Sequence, residues 1–163
     1  MEINRVVVGP LETNCYILKK DNKCLVIDPG DEYDKIEKNI GQYEVVGVII
    51  THYHFDHIGA LNNFNNKLIL DKHNLEEKEY NIDNFKFDVI YTPGHKEDCI
   101  TIYFKEDKIM FTGDFIFKGA IGRTDLEGGN YLDMLNSLNK IDKYDKDIII
   151  YPGHGDKTTL LNR

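Results

Sequence analysis

Six histidines are spread along the chain, and three of them fall within Thr51-His52-Tyr53-His54-Phe55-Asp56-His57. This segment directly follows an apolar run, Val45 to Ile50. In extended chain, alternate side chains share a face. His52, His54 and Asp56 are therefore expected to project together, with Tyr53 and Phe55 turned into packing. His57 breaks the alternation, as it would where the chain turns into a helix beginning near Ile58. Imidazole beside carboxylate is a ligand set for zinc, iron or manganese. A polar loop with no function is the better reading of one such histidine. It is a poor reading of H-x-H-x-D-H placed directly after a buried strand.

Two further histidines have the same setting. His95 closes Tyr91-Thr92-Pro93-Gly94-His95, and His154 lies in Tyr151-Pro152-Gly153-His154-Gly155. In each, Pro stops a strand, Gly permits an unusual backbone angle or a close approach, and His is presented at the strand end. Asp114 follows an apolar run in the same way, in Phe111-Thr112-Gly113-Asp114. A lone Gly-Asp is more often a turn. Together, however, five histidines and two aspartates are each expected at the C-terminus of a strand, where ligand-bearing loops gather. Seven ligands exceed one tetrahedral ion. They divide into two sites with one shared ligand, and Asp114 is the natural bridge, because carboxylate bridges better than imidazole. Two such ions can hold a hydroxide between them at neutral pH, which is a hydrolytic nucleophile.

The remaining chemically able residues read differently. His73 matches no motif and is expected at the surface. Cys99 opens a strand with no base beside it and reads as a small buried hydrophobe. Arg123 either binds a substrate carboxylate through its planar fork or pairs locally with Asp125, and local pairing is favoured. Tyr53 is expected in packing, with a secondary reading as a residue lining the site.

These residues need elements to position them. Strands are expected over Glu2 to Val8, Cys15 to Lys19, Lys23 to Ile27, Val45 to Ile50, Lys67 to Leu70, Phe85 to Tyr91, Cys99 to Phe104, Lys108 to Phe111 and Asp147 to Tyr151. The run at Val45 to Ile50 is almost wholly apolar, which implies burial on both faces. Helices are expected over Asp31 to Ile40, Ile58 to Phe64, and Asn130 to Ile141 with Asn130 as N-cap. Strands dominate each half and helices follow some of them, which points to stacked sheets covered by helices, an α/β layered sandwich.

The length of 163 residues suits one domain spanning 1–163, with no repeat or linker. A formal charge of −8 argues against nucleic-acid binding and against docking on anionic lipid. No apolar run approaches a membrane span, and the N-terminus lacks the pattern of a signal peptide. Three widely spaced cysteines form no disulfide framework, so the cytoplasm is the expected compartment.

T-H-Y-H-F-D-H, followed by T-P-G-H, F-T-G-D and Y-P-G-H-G, resembles the metallo-β-lactamase-fold superfamily. The resemblance runs from about Pro10 to the C-terminus. Within the superfamily the chain is most similar to the glyoxalase II-like hydroxyacylglutathione hydrolases. The segments that carry this are Asn14-Cys15-Tyr16, Val26-Ile27-Asp28-Pro29-Gly30 and Ile121-Gly122-Arg123-Thr124-Asp125-Leu126. The resemblance implies a four-layer αββα sandwich with the site at one edge of the two sheets. It also implies that His52, His54 and His95 hold a first metal, that Asp56, His57 and His154 hold a second, and that Asp114 bridges. Full-length glyoxalase II carries a further helical domain, so a chain ending at Arg163 is expected to belong to the short, single-domain branch. The residues after His95 are Lys96-Glu97-Asp98-Cys99, where the family often has Thr-Pro-Gly-Ser.

The expected cofactors are two divalent ions, zinc foremost, with iron or manganese also admitted by the ligand types. The expected reaction is hydrolysis of a small-molecule thioester such as S-lactoylglutathione by the metal-bridging hydroxide. Asp56 would orient the second metal and the hydroxide, and Asp114 would hold the pair together. Persulfide dioxygenases share the fold and use a single iron, which would map onto His52, His95 and Asp114. Lactone or β-lactam hydrolysis is a further alternative, and a non-catalytic metal-binding scaffold is the reading outside enzymology.

Overall fold

The computed structural model describes residues 1–163. The first sheet contains β1 (Glu2–Val8), β2 (Thr13–Lys20), β3 (Lys23–Ile27), β4 (Glu44–Ile49) and β5 (Ile69–Leu70), hydrogen-bonded in that order. Helix α1 (Tyr33–Ile40) carries the chain from β3 to β4, and this crossover makes the two strands parallel. A one-turn helix α2 (Phe55–Ile58) follows β4. The second sheet holds β6 (Glu79–Ile82), β7 (Phe85–Tyr91), β8 (Ile100–Phe104) and β9 (Ile109–Gly113). After a small hairpin, β10 (Ile116–Phe117) and β11 (Ala120–Ile121), comes helix α3 (Tyr131–Ile141). Strands β12 (Ile149–Pro152) and β13 (Thr158–Thr159) then complete the order β13-β12-β9-β8-β7-β6.

Side-chain alternation builds the layers. On β2, Tyr16 and Leu18 face the second sheet, while Cys15 and Ile17 face α1. On β3, Leu25 and Ile27 face inward, and Cys24 and Val26 outward. The second sheet answers with Phe85, Phe87, Ile100, Ile102, Phe104 and Phe111 in the shared core. Its outer face packs Tyr103, Met110 and Ile150 against Met134 and Ile141 of α3. The result is the expected αββα sandwich, with helices outside two mixed sheets. Strand β4 is buried on both faces, as its apolar run implied: Ile49 enters the inter-sheet core, and Val48 packs toward α1. No helix is long and apolar enough to cross a membrane.

Three expectations need correction. The helix read over Ile58 to Phe64 begins earlier and breaks, into α2 and a 3-10 turn at Leu61–Phe64. Asp56 therefore sits on a helical turn and not in line with His52 and His54 on one extended face. Phe55 does not pack inward; it is 73% exposed. Strand β6 was not anticipated, although Asp83 and Asn84, at φ 45 and 73, form the tight turn that pairs it with β7.

Direction of travel decides where the loops meet. Strands β7 and β9 both run antiparallel to β8, and β12 runs parallel to β9. The C-terminal ends of β7, β9 and β12 therefore share one edge of the second sheet. The end of β4 joins them through Ile100 N–H donating to Thr51 O at 2.9 Å. The start of β2 joins through Asn14 N–H donating to Gly153 O at 2.7 Å.

Helix α2 is seated by two glycines in contact. A Cβ on Gly59 would lie 2.2 Å from Gly30 O, and one on Gly30 would lie 2.0 Å from Asp56 O. Gly59 has ordinary helical angles, φ −58 and ψ −30, so only the close approach demands glycine there. Gly59→Ala is expected to destabilise the fold by about 1–3 kcal/mol, the usual range for overpacking, read as a lowered midpoint in thermal or urea melts.

Candidate metal centre

Each of the seven side chains lies just beyond a strand that fixes it. His52 and His54 follow β4, and Asp56 and His57 stand on α2. His95 follows β7, Asp114 follows β9, and His154 follows β12. The structure brings all seven together. The ligand atoms of His52, His54 and His95 lie within 4.8 Å of one another, as do those of Asp56, His57 and His154. Nε2 of His95 is 2.9 Å from Nδ1 of His54. Nε2 of His154 is 3.1 Å from Asp56 Oδ2, which is 3.5 Å from His57 Nε2.

Asp114 stands between the two triads. Its Oδ2 is 3.6 Å from His95 Nε2 and 4.0 Å from His52 Nε2 on one side, and 3.4 Å from His154 Nε2 on the other. Its Oδ1 is 3.2 Å from His57 Nε2. Gly153 makes room for it, since a Cβ there would meet Asp114 Oδ1 at 2.2 Å.

The free nitrogens are set by what holds the others. His57 Nδ1 is 2.8 Å from Asp28 Oδ2, His95 Nδ1 is 2.8 Å from Arg123 O, and His154 Nδ1 is 3.0 Å from Leu11 O. Each partner only accepts, so each Nδ1 carries the proton and each Nε2 is left to face the centre. His52 is fixed through a relay. Thr51 Oγ1 donates to Asp28 Oδ2 at 2.6 Å, which leaves its lone pair to accept from His52 Nδ1 at 3.1 Å.

Charge follows the same division. Burial and then His57 hold His52 well below the usual imidazole range, and burial and His95 lower His54, so both are neutral donors. Burial works against charge on Asp56 and Asp114 as well. On Asp114 it is overcome by His154 and His57; on Asp56, by His154, His57 and the Thr13 hydroxyl. Both carboxyls therefore stay well below the usual carboxylate range. For His57, burial is outweighed by Asp28 and Asp114, which push it up to about 10. For His154, Asp114 and Asp56 do the same, also to about 10. The second triad is thus a place that draws positive charge.

A pair of cations fits these residues. His52 Nε2, His57 Nε2 and Asp114 Oδ1 are buried and have no hydrogen bond. Unpartnered buried donors and acceptors are costly and rare, and here three of them converge on one point. The donor set, imidazole and carboxylate, is that of zinc and first-row transition ions.

The metallo-β-lactamase superfamily model matches residues 8–87 and 74–154. The chain belongs to that superfamily. It is 32% identical to the probable metallo-hydrolase YqgX of Bacillus subtilis, over 99% of this chain and 93% of that protein. It is 29% identical to the hydroxyacylglutathione hydrolase GloC of Haemophilus influenzae, over 98% and 93%. Among solved structures it resembles the BLEG-1 B3 metallo-β-lactamase, with TM-score 0.92 and 28% identity over 99% of this chain and 95% of that one. It also resembles TTHA1623 in a di-iron-bound form, with TM-score 0.86 and 27% identity over 96% and 94%. Family and donor set together make this superfamily member a metal-dependent hydrolase.

The remaining sequence candidates separate from the centre. Arg123 forks onto Asp125 at 2.7 and 2.8 Å, the local pairing that was favoured, although its carbonyl holds His95. Tyr53 is tied by its hydroxyl to Asp71 at 2.5 Å and by its N–H to Asp98 at 3.0 Å. His73 is largely exposed beside Asp71, and Cys99 is buried, its thiol pushed up chiefly by burial. The sequence reading assigned no role to Asp28, Thr51 or Thr13. Asp28 had the right signal, an acid at the end of an apolar strand, but enters that reading only within a segment that carries the family resemblance.

Thr13 is buried and donates to Asp56 Oδ2 at 2.8 Å, while its backbone bridges to His154. Thr13→Val keeps the shape and removes the donor. It is expected to weaken divalent-metal affinity about 10–100-fold, as loss of a ligand's supporting bond does, with Thr13→Ser restoring most of it. Competition with a chromophoric chelator measures both.

Proposed function

We propose that the chain is a binuclear metallo-hydrolase that cleaves a small-molecule thioester of the S-lactoylglutathione type. One observation carries the binuclear reading. Asp114 reaches His52 and His95 with the same oxygen that reaches His154, so a single carboxylate serves both triads. In this reading His52, His54 and His95 hold the first ion, Asp56, His57 and His154 the second, and Asp114 bridges. Bound there, a zinc or iron pair supplies a hydroxide nucleophile at neutral pH and polarises the acyl carbonyl.

The chain's own residues do the positioning. The Nδ1 partners Asp28, Arg123 O and Leu11 O keep three imidazoles in one tautomer and orientation. Thr13 and His154 keep Asp56 ionised and turned to the centre. A thiolate is a good leaving group near neutral pH, which lessens the need for a separate general acid. The thioester class draws support from the likeness to a hydroxyacylglutathione hydrolase over nearly the whole chain. The complete second triad favours hydrolysis by two ions over the single-iron dioxygenase arrangement.

Asp114→Asn and His54→Ala are each expected to lower kcat/KM for S-lactoylglutathione by about 10²–10³ or more, with unchanged circular dichroism. Metal analysis should give two ions per wild-type chain. Normal turnover by either variant, or oxygen uptake with a persulfide in place of thioester cleavage, would overturn the reading.

A further inference from the structure

A solvent-open groove of about 560 Å³ begins at His154 and is lined also by Phe117, Lys118, Ala120, Gly155 and Asp156. His154 keeps 27% of its side chain exposed, so the groove borders the candidate centre at this donor. Its wall is the β10–β11 hairpin. Phe117 pairs with Ala120, and the two-residue turn Lys118-Gly119, with Gly119 at φ 75, presents Lys118 at the tip. The ring of Phe117 lies 6.2 Å from that of His154. The hairpin base is tied to the strand end that carries Asp114, by Thr112 Oγ1 donating to Ile116 O at 3.0 Å and Gly122 N–H to Phe115 O at 3.1 Å. The groove therefore keeps a fixed relation to the bridging carboxylate.

The cations around this mouth differ in what they are free to do. Arg123 is forked onto Asp125, Lys96 is 3.3 Å from Asp98, and Arg5 holds Gly155 O and Asp156. Lys118 has neither a hydrogen bond nor an ion pair. The chain as a whole carries −8 and repels anions, so an unpaired lysine in the groove lining is a local exception. Arg5 also offsets Asp156, the one carboxylate in the groove.

We propose that this groove binds the non-reacting end of the substrate, with Phe117 and Ala120 against its apolar stem and Lys118 paired with a carboxylate on it. The enzyme then selects anionic thioesters over neutral ones. The inference rests on the thioester reading, and its test is arranged so that the two fail separately.

Two lactoyl thioesters serve as probes, one of N-acetylcysteine and one of its neutral carboxamide. An exposed ion pair is worth about a two- to fivefold preference. The wild-type protein is expected to favour the carboxylate by that factor, in KM and not in kcat, with the preference shrinking at high salt. Lys118→Glu should shift the ratio about tenfold toward the amide, and Lys118→Arg should retain it. Equal ratios in wild type and Lys118→Glu would overturn the subsite. The non-hydrolysable thioether analogues are measured in parallel by calorimetry. A charge preference in their binding that Lys118→Glu abolishes, with neither thioester cleaved, would sink the reaction and keep the groove. No such preference would sink the groove whatever the turnover.

Discussion

The buried carboxylate of Asp28 is the interaction on which the centre depends. It sits at the end of β3 at 2% exposure, with φ 51. An anion so placed is costly unless every oxygen is bonded. Thr51 supplies its N–H at 2.8 Å and its hydroxyl at 2.6 Å, and His57 supplies Nδ1–H at 2.8 Å. The same bonds that make Asp28 tolerable fix the proton on His57 directly and on His52 through the Thr51 hydroxyl. One histidine of each triad is therefore oriented by one residue. The parallel pairing of β3 with β4, which places Ile27 opposite Ile49, brings Asp28 and Thr51 side by side.

The fold makes such crowding supportable. Three carboxylates and five imidazoles stand at strand ends, backed by an apolar inter-sheet core that includes Tyr16, Phe104 and Phe111. Tyr16 joins core to site, since its hydroxyl donates to Pro152 O at 2.6 Å, two residues before His154. Asn14 adds bonds to Pro152 O and Gly155 O from the same strand. Strand ends anchored this way hold the donors together, an arrangement that a bound cation would satisfy. Rigid elements with a supporting layer of hydrogen bonds are what a preorganised site requires.

Most of the longer strands and the meeting of the seven side chains were legible because both carry residue-type signals: β-branched and aromatic runs, then His or Asp after Gly or a strand stop. The face of Asp56 was misread because a period of two was carried past Phe55, where the backbone has already turned into α2. Strand β6 was missed because Glu79–Ile82 is a half-polar edge strand with little apolar signal, although its Asp-Asn turn was visible. The supporting bonds were the least legible part. Leu11 O and Arg123 O are backbone carbonyls, and no residue type announces where a carbonyl will point. Thr13 and Thr51 are common strand residues whose roles exist only once two sheets meet.

The loop after His95 departs from the small residues expected there. It reads Lys96-Glu97-Asp98-Cys99, and His95 is held by Arg123 O. Asp98, buried at 7% exposure, accepts from the N–H of Tyr53, between His52 and His54, so this loop supports the first triad. The rim shows no such restraint. The side chains of Phe55 at 73% exposure, Leu11 at 51% and Ile121 at 41% lie open to solvent, although the carbonyl of Leu11 holds His154. Donors that converge on one centre tolerate little change, whereas exposed loop residues are free to vary. In the proposed reading, selectivity belongs to the rim and the β10–β11 hairpin, and the capacity for hydrolysis to the strand ends beneath them.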